Sequence, residues 1–280
     1  MLFLHGIDFI RQMRKYLIQL LILVFLYISF SGFEKNYYSG FLPEELYPAN
    51  QTDPAFINKN HEWADSVMAT LSLEEKIAQL MMIAAYSNKG DEHLKAVSGI
   101  IKKFNIGGIV FFQGGPVRQV TMTNHFQSIA KTPLLIAMDA EWGPGMRLDS
   151  TLSYPRQMSL GAIRNDELIY QMGYQIGNQL KRLGVHINFA PVADINNNPM
   201  NPVINCRSFG EDRVNVAFKA YNYARGLEDA GIIATLKHFP GHGDTESDSH
   251  YTLPVLHHST DRIDSLELFP FRYCISNAIP

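Results

Sequence analysis

Between residues 80 and 239 the chain returns five times to a short apolar run: LMMIAA (80–85), GGIVFF (107–112), PLLIAMD (133–139), HINFAPV (186–192) and IIATLKHF (232–239). Several of these are apolar at consecutive positions, the pattern of parallel strands covered on both faces. Helical spacing fills the intervals. It is clearest in ELIYQMGYQIGNQLKRLG, where Leu168, Met172, Ile176, Leu180 and Leu183 mark one face before Gly184 ends it. A second helix is predicted from about Asp212 to Ala230, closed by Gly231. In SLEEKIAQL, Ser72 precedes Glu75 by three, a capping-box start. DRIDSLELFPFRYCISNAIP reads as one further helix. Repeated strand, loop and helix units predict an α/β fold with a parallel sheet.

The polar residues fall at particular places in this pattern. Asp139 ends its strand, Asp194 follows NFAPV, and Lys237 and His238 close the fifth apolar run. All lie at strand C-termini, where a (β/α)8 barrel gathers its active site. A doubly wound open sheet uses the same ends, so their position argues for a site more than for one of these folds.

The N-terminus has a different pattern. Arg11, Arg14 and Lys15 precede an apolar run from Tyr16 to Phe30 that ends in Ser31 and Gly32, the layout of a secretory signal, with Met13 a more usual start for it than Met1. The run is shorter than the roughly 20 residues of a bilayer span, and an uncleaved anchor is the alternative. No cysteine follows it to take a lipid. Residues 33–59, with Pro43, Pro48 and Pro54, read as a linker. The expected organisation is a signal or anchor (1–32), a linker (33–59) and a folded domain (60–280), in a protein exported to the periplasm or extracellular space, with membrane contact only through an uncleaved anchor. A formal charge of -3, with no basic run after residue 15, speaks against a nucleic-acid partner. Cys206 and Cys274 stand far apart, which indicates neither a zinc ribbon nor a disulfide scaffold.

The densest chemistry lies in KHFPGHGDTESDSH, residues 237–250. His238 and His242 have the spacing of helical zinc ligands, but Pro240 and Gly241 between them oppose a continuous helix, and no Glu follows the first His. In an extended segment Asp248 and His250 would point to one side, and a carboxylate beside an imidazole raises its pKa and orients it for proton transfer. A surface turn is the plainer reading of that pair alone. His242, Asp244, Thr245 and Glu246 are read as loop formers. Arg207 and Lys237, on neighbouring strand ends, would need a shared acidic partner or a ligand. Asp139 and Glu141 suit sugar hydroxyls or an ion pair with Arg147. Trp142 suits a sugar face or the core, and Asp194 a turn or a supporting role.

Taken together, NIGGIVFFQGG, IAMDAEWGPGMR, INFAPVADINNNPMNPVINCRSFGED and KHFPGHGDTESDSH resemble the catalytic domain of glycoside hydrolase family 3, in its β-N-acetylglucosaminidase branch, over roughly residues 60–280. The resemblance implies a TIM-like barrel, about five of whose eight strands can be counted in the chain. It implies Asp139, Arg147, Arg207, Lys237 and His238 as sugar-binding residues, and Asp248 and His250 as the acid/base pair of a retaining hydrolase. The substrate would be a glycan with terminal N-acetylglucosamine, derived from peptidoglycan or chitin, and neither metal nor organic cofactor is required. The family's β-glucosidases lack this loop pair; a β-glucosidase-like member and a non-catalytic sugar-binding module are the alternatives. No position matches the family's nucleophilic aspartate, so the chain is expected to be a C-terminally truncated, inactive fragment. EWGPG departs from the glycine pair of many relatives, which concerns the rim near Trp142.

Overall fold

The computed structural model describes residues 60–280 except 250, 252, 278 and 280. The predicted signal and linker lie outside the described residues. Two short helices, α1 (Glu62–Thr70) and α2 (Leu73–Ala78), lead in. Ser72 caps α2 as the sequence predicts, its hydroxyl accepting the Glu75 N–H while the Glu75 carboxylate accepts the Ser72 N–H.

All five apolar runs become strands: β1 (Met82–Ala85), β2 (Gly108–Phe111), β3 (Leu135–Met138), β4 (Ile187–Asn188) and β5 (Ile233–Ala234). They pair in parallel in the order β1-β2-β3-β4-β5. A sheet that grows in one direction in chain order has no topological switch point, which rules out the doubly wound arrangement and gives the barrel type. The fold is therefore a TIM-like α/β sheet, unclosed among the described residues. In register, Ala85, Phe111, Met138, Asn188 and Ala234 form one row across it. The site begins just beyond this row.

The last two strands are much shorter than their apolar runs. Pro191 has no N–H to continue the ladder, and pairing resumes only at an isolated bridge between Val192 and Lys237. The buried Gln157 side chain serves the interrupted backbone, accepting the Val192 N–H at 3.1 Å and donating to the Val192 carbonyl at 2.8 Å.

Between the strands run α3 (Gly90–Phe104), α4 (Pro116–Ile129), α5 (Gln157–Gly161), α6 (Glu167–Arg182) and α7 (Arg213–Asp229). Helix α6 buries Ile169, Met172, Ile176 and Leu180, whereas Leu168, expected on that face, is 53% exposed. The inner stripe is thus centred one position later, because α6 meets α7 through glycines. A Cβ on Gly226 would lie 2.3 Å from the Tyr170 carbonyl oxygen, and one on Gly173 2.4 Å from that of Tyr223. Gly226→Ala is accordingly expected to destabilise the protein by about 1–3 kcal/mol through overpacking, read as a lower urea midpoint at unchanged slope.

The single helix predicted at the C-terminal end is in fact three segments: α8 (Thr260–Arg262), a π-helical turn (Ile263–Glu267) and α9 (Phe269–Ser276). Pro270 accounts for the break, since it fits only the first turn of a helix. The Leu268 N–H instead reaches back to the Ile263 carbonyl at 2.9 Å. Cys206 is exposed and Cys274 buried, both as free thiols, and burial pushes the Cys274 thiol up. Among the described residues no helix is long and apolar enough to cross a membrane.

Candidate active site

The site is built on the backbone that leaves β3. Ala140 is held by the buried Asn188 amide of β4, whose Oδ1 accepts the Ala140 N–H at 3.0 Å and whose Nδ2 donates to the Ala140 carbonyl at 3.3 Å. From α7, the fully buried Tyr223 hydroxyl lies 3.0 Å from the Ala140 carbonyl and 3.1 Å from that of Glu141. Asp139 and Glu141 thus flank a residue clamped from two elements. Tyr223→Phe should cost about 1–2 kcal/mol, because the Glu141 carbonyl loses its donor in a dry place; thermal unfolding checks this.

The carboxylates are ion-paired with three cations. Asp139 meets Arg147 at 2.6 Å and Lys237 Nζ at 2.9 Å. Glu141, 1% exposed, takes a two-pronged contact from Arg207, with Nε at 3.0 Å and a terminal nitrogen at 2.7 Å, while Lys237 lies 2.8 Å away. Glu141 is therefore the shared acidic partner that the neighbouring cations Arg207 and Lys237 called for. Burial disfavours charge on Asp139, but Lys237 and Arg147 outweigh it and hold the carboxyl below its usual range. Burial likewise opposes ionisation of Glu141, and Arg207 and Lys237 prevail. Arg147 pairs with Asp139 and not with Glu141, and its guanidinium stacks on the Phe112 ring.

Beside this cluster stands Asp194, 1% exposed, which does more than a turn residue. One oxygen accepts from His238 Nδ1 at 2.6 Å, and the carboxylate also accepts the backbone N–H of His238 at 3.1 Å and of His242 at 2.7 Å. A terminal nitrogen of Arg207 lies 3.3 Å from His238 Nε2. Guanidinium only donates, so Nε2 is the acceptor and Nδ1 carries the proton toward Asp194. The sequence signal for this role is a lone Asp at a strand end, which does not distinguish a hub from a turn.

The structure brings together Asp139, Arg147, Arg207, Lys237 and His238. Asp248 is half-buried in the following loop, and His250 lies outside the described residues. The Tyr251 N–H is bonded to the Asp248 carbonyl at 3.1 Å. His242 and Thr245 are loop formers as expected, the Thr245 hydroxyl donating to the His242 carbonyl at 3.1 Å, and both are also buried, with Thr245 Oγ1 2.5 Å from His242 Nδ1. Trp142 is half-buried with the Arg156 guanidinium 3.3 Å above its ring. The His238 and His242 rings are 5.8 Å apart and edge-on. Both His242 nitrogens face hydroxyls, of Thr245 and Ser249. Asp244, His258 and Glu267 do offer ligand atoms within 4.8 Å of one another. The cation beside them is Arg262, 2.6 Å from Glu267 and 3.4 Å from Asp244, so the group is an ion-pair cluster.

The sequence pattern of the glycosyl hydrolase family 3 N terminal domain matches residues 72–279. Beta-hexosaminidase A of Pseudoalteromonas piscicida is 38% identical over 197 residues, which are 66% of this chain and 33% of that protein. The structure of a glycoside hydrolase family 3 beta-N-acetylglucosaminidase from Paenibacillus sp. str. FPU-7 superposes with a TM-score of 0.69 at 40% identity, over 75% of this chain and 41% of that one. Beta-glucoside phosphorylase BglX bound to 2FGlc gives a TM-score of 0.75 at 25% identity, over 81% of this chain and 41% of that one. The chain thus spans between a third and a half of the length of each.

Proposed function

The chain belongs to glycosyl hydrolase family 3, and from that premise we propose that it acts in releasing terminal N-acetylglucosamine from β-linked glycans by retaining hydrolysis. The observation that carries the reading is the convergence of Asp139, Arg147, Arg207, Lys237 and His238, with Glu141, into one ion-paired cluster in the segments that follow β3, β4 and β5. Such a set offers fixed donors and acceptors to the hydroxyls of one sugar ring. The relatives named for hexosaminidase and N-acetylglucosaminidase activity favour the N-acetyl substrate over a plain glucoside.

In this reading His250 protonates the leaving oxygen and later deprotonates the attacking water, while Asp248 orients its ring. Asp139, Glu141 and Asp194 are not offered as the nucleophile. Each is already engaged, by cations or by His238 and backbone amides, in a way that lowers its availability for attack. The basic and apolar start of the chain supports export, and a periplasmic or extracellular enzyme of this kind would act on peptidoglycan- or chitin-derived fragments.

The test is calorimetric titration of this chain with N-acetylglucosamine and with glucose, beside assays of the full-length gene product on chromogenic β-N-acetylglucosaminide and β-glucoside with and without phosphate. Preference for the N-acetyl sugar and phosphate-independent release support the proposal. Preferential binding without turnover supports the sugar-binding module, and phosphate-dependent cleavage of the glucoside overturns both.

A further inference from the structure

His242 connects the base of the site to the segment carrying Asp248 and His250. Its N–H donates to Asp194 at 2.7 Å, and its carbonyl accepts from Asn201 Nδ2 at 2.7 Å. Its ring is 8% exposed, with Nδ1 2.5 Å from Thr245 Oγ1 and Nε2 3.0 Å from Ser249 Oγ. Ser249 is the residue between Asp248 and His250. The Thr245 hydroxyl also donates to the His242 carbonyl at 3.1 Å, so Thr245 holds the ring from one side while Ser249 meets it from the other.

We propose that His242 and Ser249 are a positioning pair, a latch that sets where the Asp248 and His250 segment stands relative to the sugar-binding cluster. Neither residue touches the reacting atoms in this assignment. The inference rests on the reading of Asp248 and His250 as the acid/base pair. Its physical basis is that Asp194 anchors both His238, in the cluster, and His242, at the root of the loop. One buried carboxylate thus gives the two parts of the site a common reference. Ser249 is itself exposed, so its hydrogen bond to His242 is a contact that can be broken without disturbing the core. Losing it should shift the latched-to-released ratio by roughly tenfold, so that a ratio of about 3:1 becomes about 1:3 and the latched fraction, with the rate, falls about threefold.

The experiment compares the wild-type full-length gene product with its Ser249→Ala and Ser249→Thr variants by amide hydrogen exchange, following the bonded N–H groups of Thr245 and Tyr251, and by turnover of a chromogenic β-N-acetylglucosaminide. Ser249→Ala is expected to speed exchange at those amides about threefold while the strands and α7 are unchanged, and to lower kcat about threefold at constant KM. Ser249→Thr, which keeps the hydroxyl, should restore both. Equal exchange in Ser249→Ala and wild type overturns the latch whatever the activity. Faster exchange with an unchanged kcat in an active enzyme overturns its positioning role. If the full-length wild type shows no turnover, faster exchange still supports the latch as a structural device, and it is the hydrolase reading that fails.

Discussion

Arg207→Met is expected to cost the fold about 3 kcal/mol, near the lower end of what breaking a buried ion pair costs. Glu141 is 1% exposed and receives two of its three cationic contacts from Arg207. The substitution keeps most of the apolar stem but strands a carboxylate with Lys237 alone, which is why the loss falls at the low end. Adding Glu141→Gln to Arg207→Met should recover much of it, because the amide needs no counter-charge. The pH dependence follows from the sign of the shift. Glu141 has a depressed carboxyl in the folded protein, so its contribution is fully present above the unfolded value of about 4.3 and is lost as pH falls through the depressed folded value. Without Arg207 that folded value rises toward the unfolded one, so the variant should lose less stability than wild type as pH falls from 7 to 3, and the gap between the two should narrow. Urea midpoints between pH 7 and 3 decide it. Parallel curves for the two proteins would mean that Glu141 is not held ionised by Arg207. Loss of sugar affinity in any Arg207 variant has to be read beside this cost, since the guanidinium also donates to the Val203 carbonyl at 3.2 Å and is largely committed to the protein.

The fold was legible because its strands are buried on both faces. Runs such as GGIVFF and PLLIAMD contain enough consecutive apolar residues to be found without reference to anything distant. The choice between a barrel and an open sheet was not legible in those runs, since strand order depends on which neighbours pair across the chain. Within α6 the apolar period predicted the helix but misjudged its face by one position. Leu168 and Ile169 are equally apolar, and only the close approach of α7 at Gly173 and Gly226 decides which of them is buried. The site divides in the same way. That Arg207 and Lys237 would need a common acidic partner followed from charge alone, but its identity as Glu141 depends on a contact across 66 residues. The supporting role open to Asp194 in sequence is the one it takes, but that it joins His238 to His242 depends on contacts across 44 and 48 residues.

Asp248→Asn carries the largest expected effect on activity. If Asp248 orients the His250 ring and stabilises its charged form, the amide keeps the size of the side chain and removes the charge. Turnover of a chromogenic β-N-acetylglucosaminide by the full-length gene product should then fall by about 10²–10³, within the range attributed to general acid–base catalysis. KM should change little, because the sugar is gripped by the cluster around Asp139 and Lys237 and not by this loop. The direction of the pH effect is fixed by the same argument. An imidazole that loses its carboxylate neighbour has a lower pKa, and a general acid is active only while protonated. The descending limb of the kcat profile must therefore move to lower pH in the variant. A rise in KM with kcat unchanged would place Asp248 among the binding residues. A near-normal rate with an unmoved profile would remove it from the mechanism, and with it the reason for the latch at Ser249 to matter to catalysis.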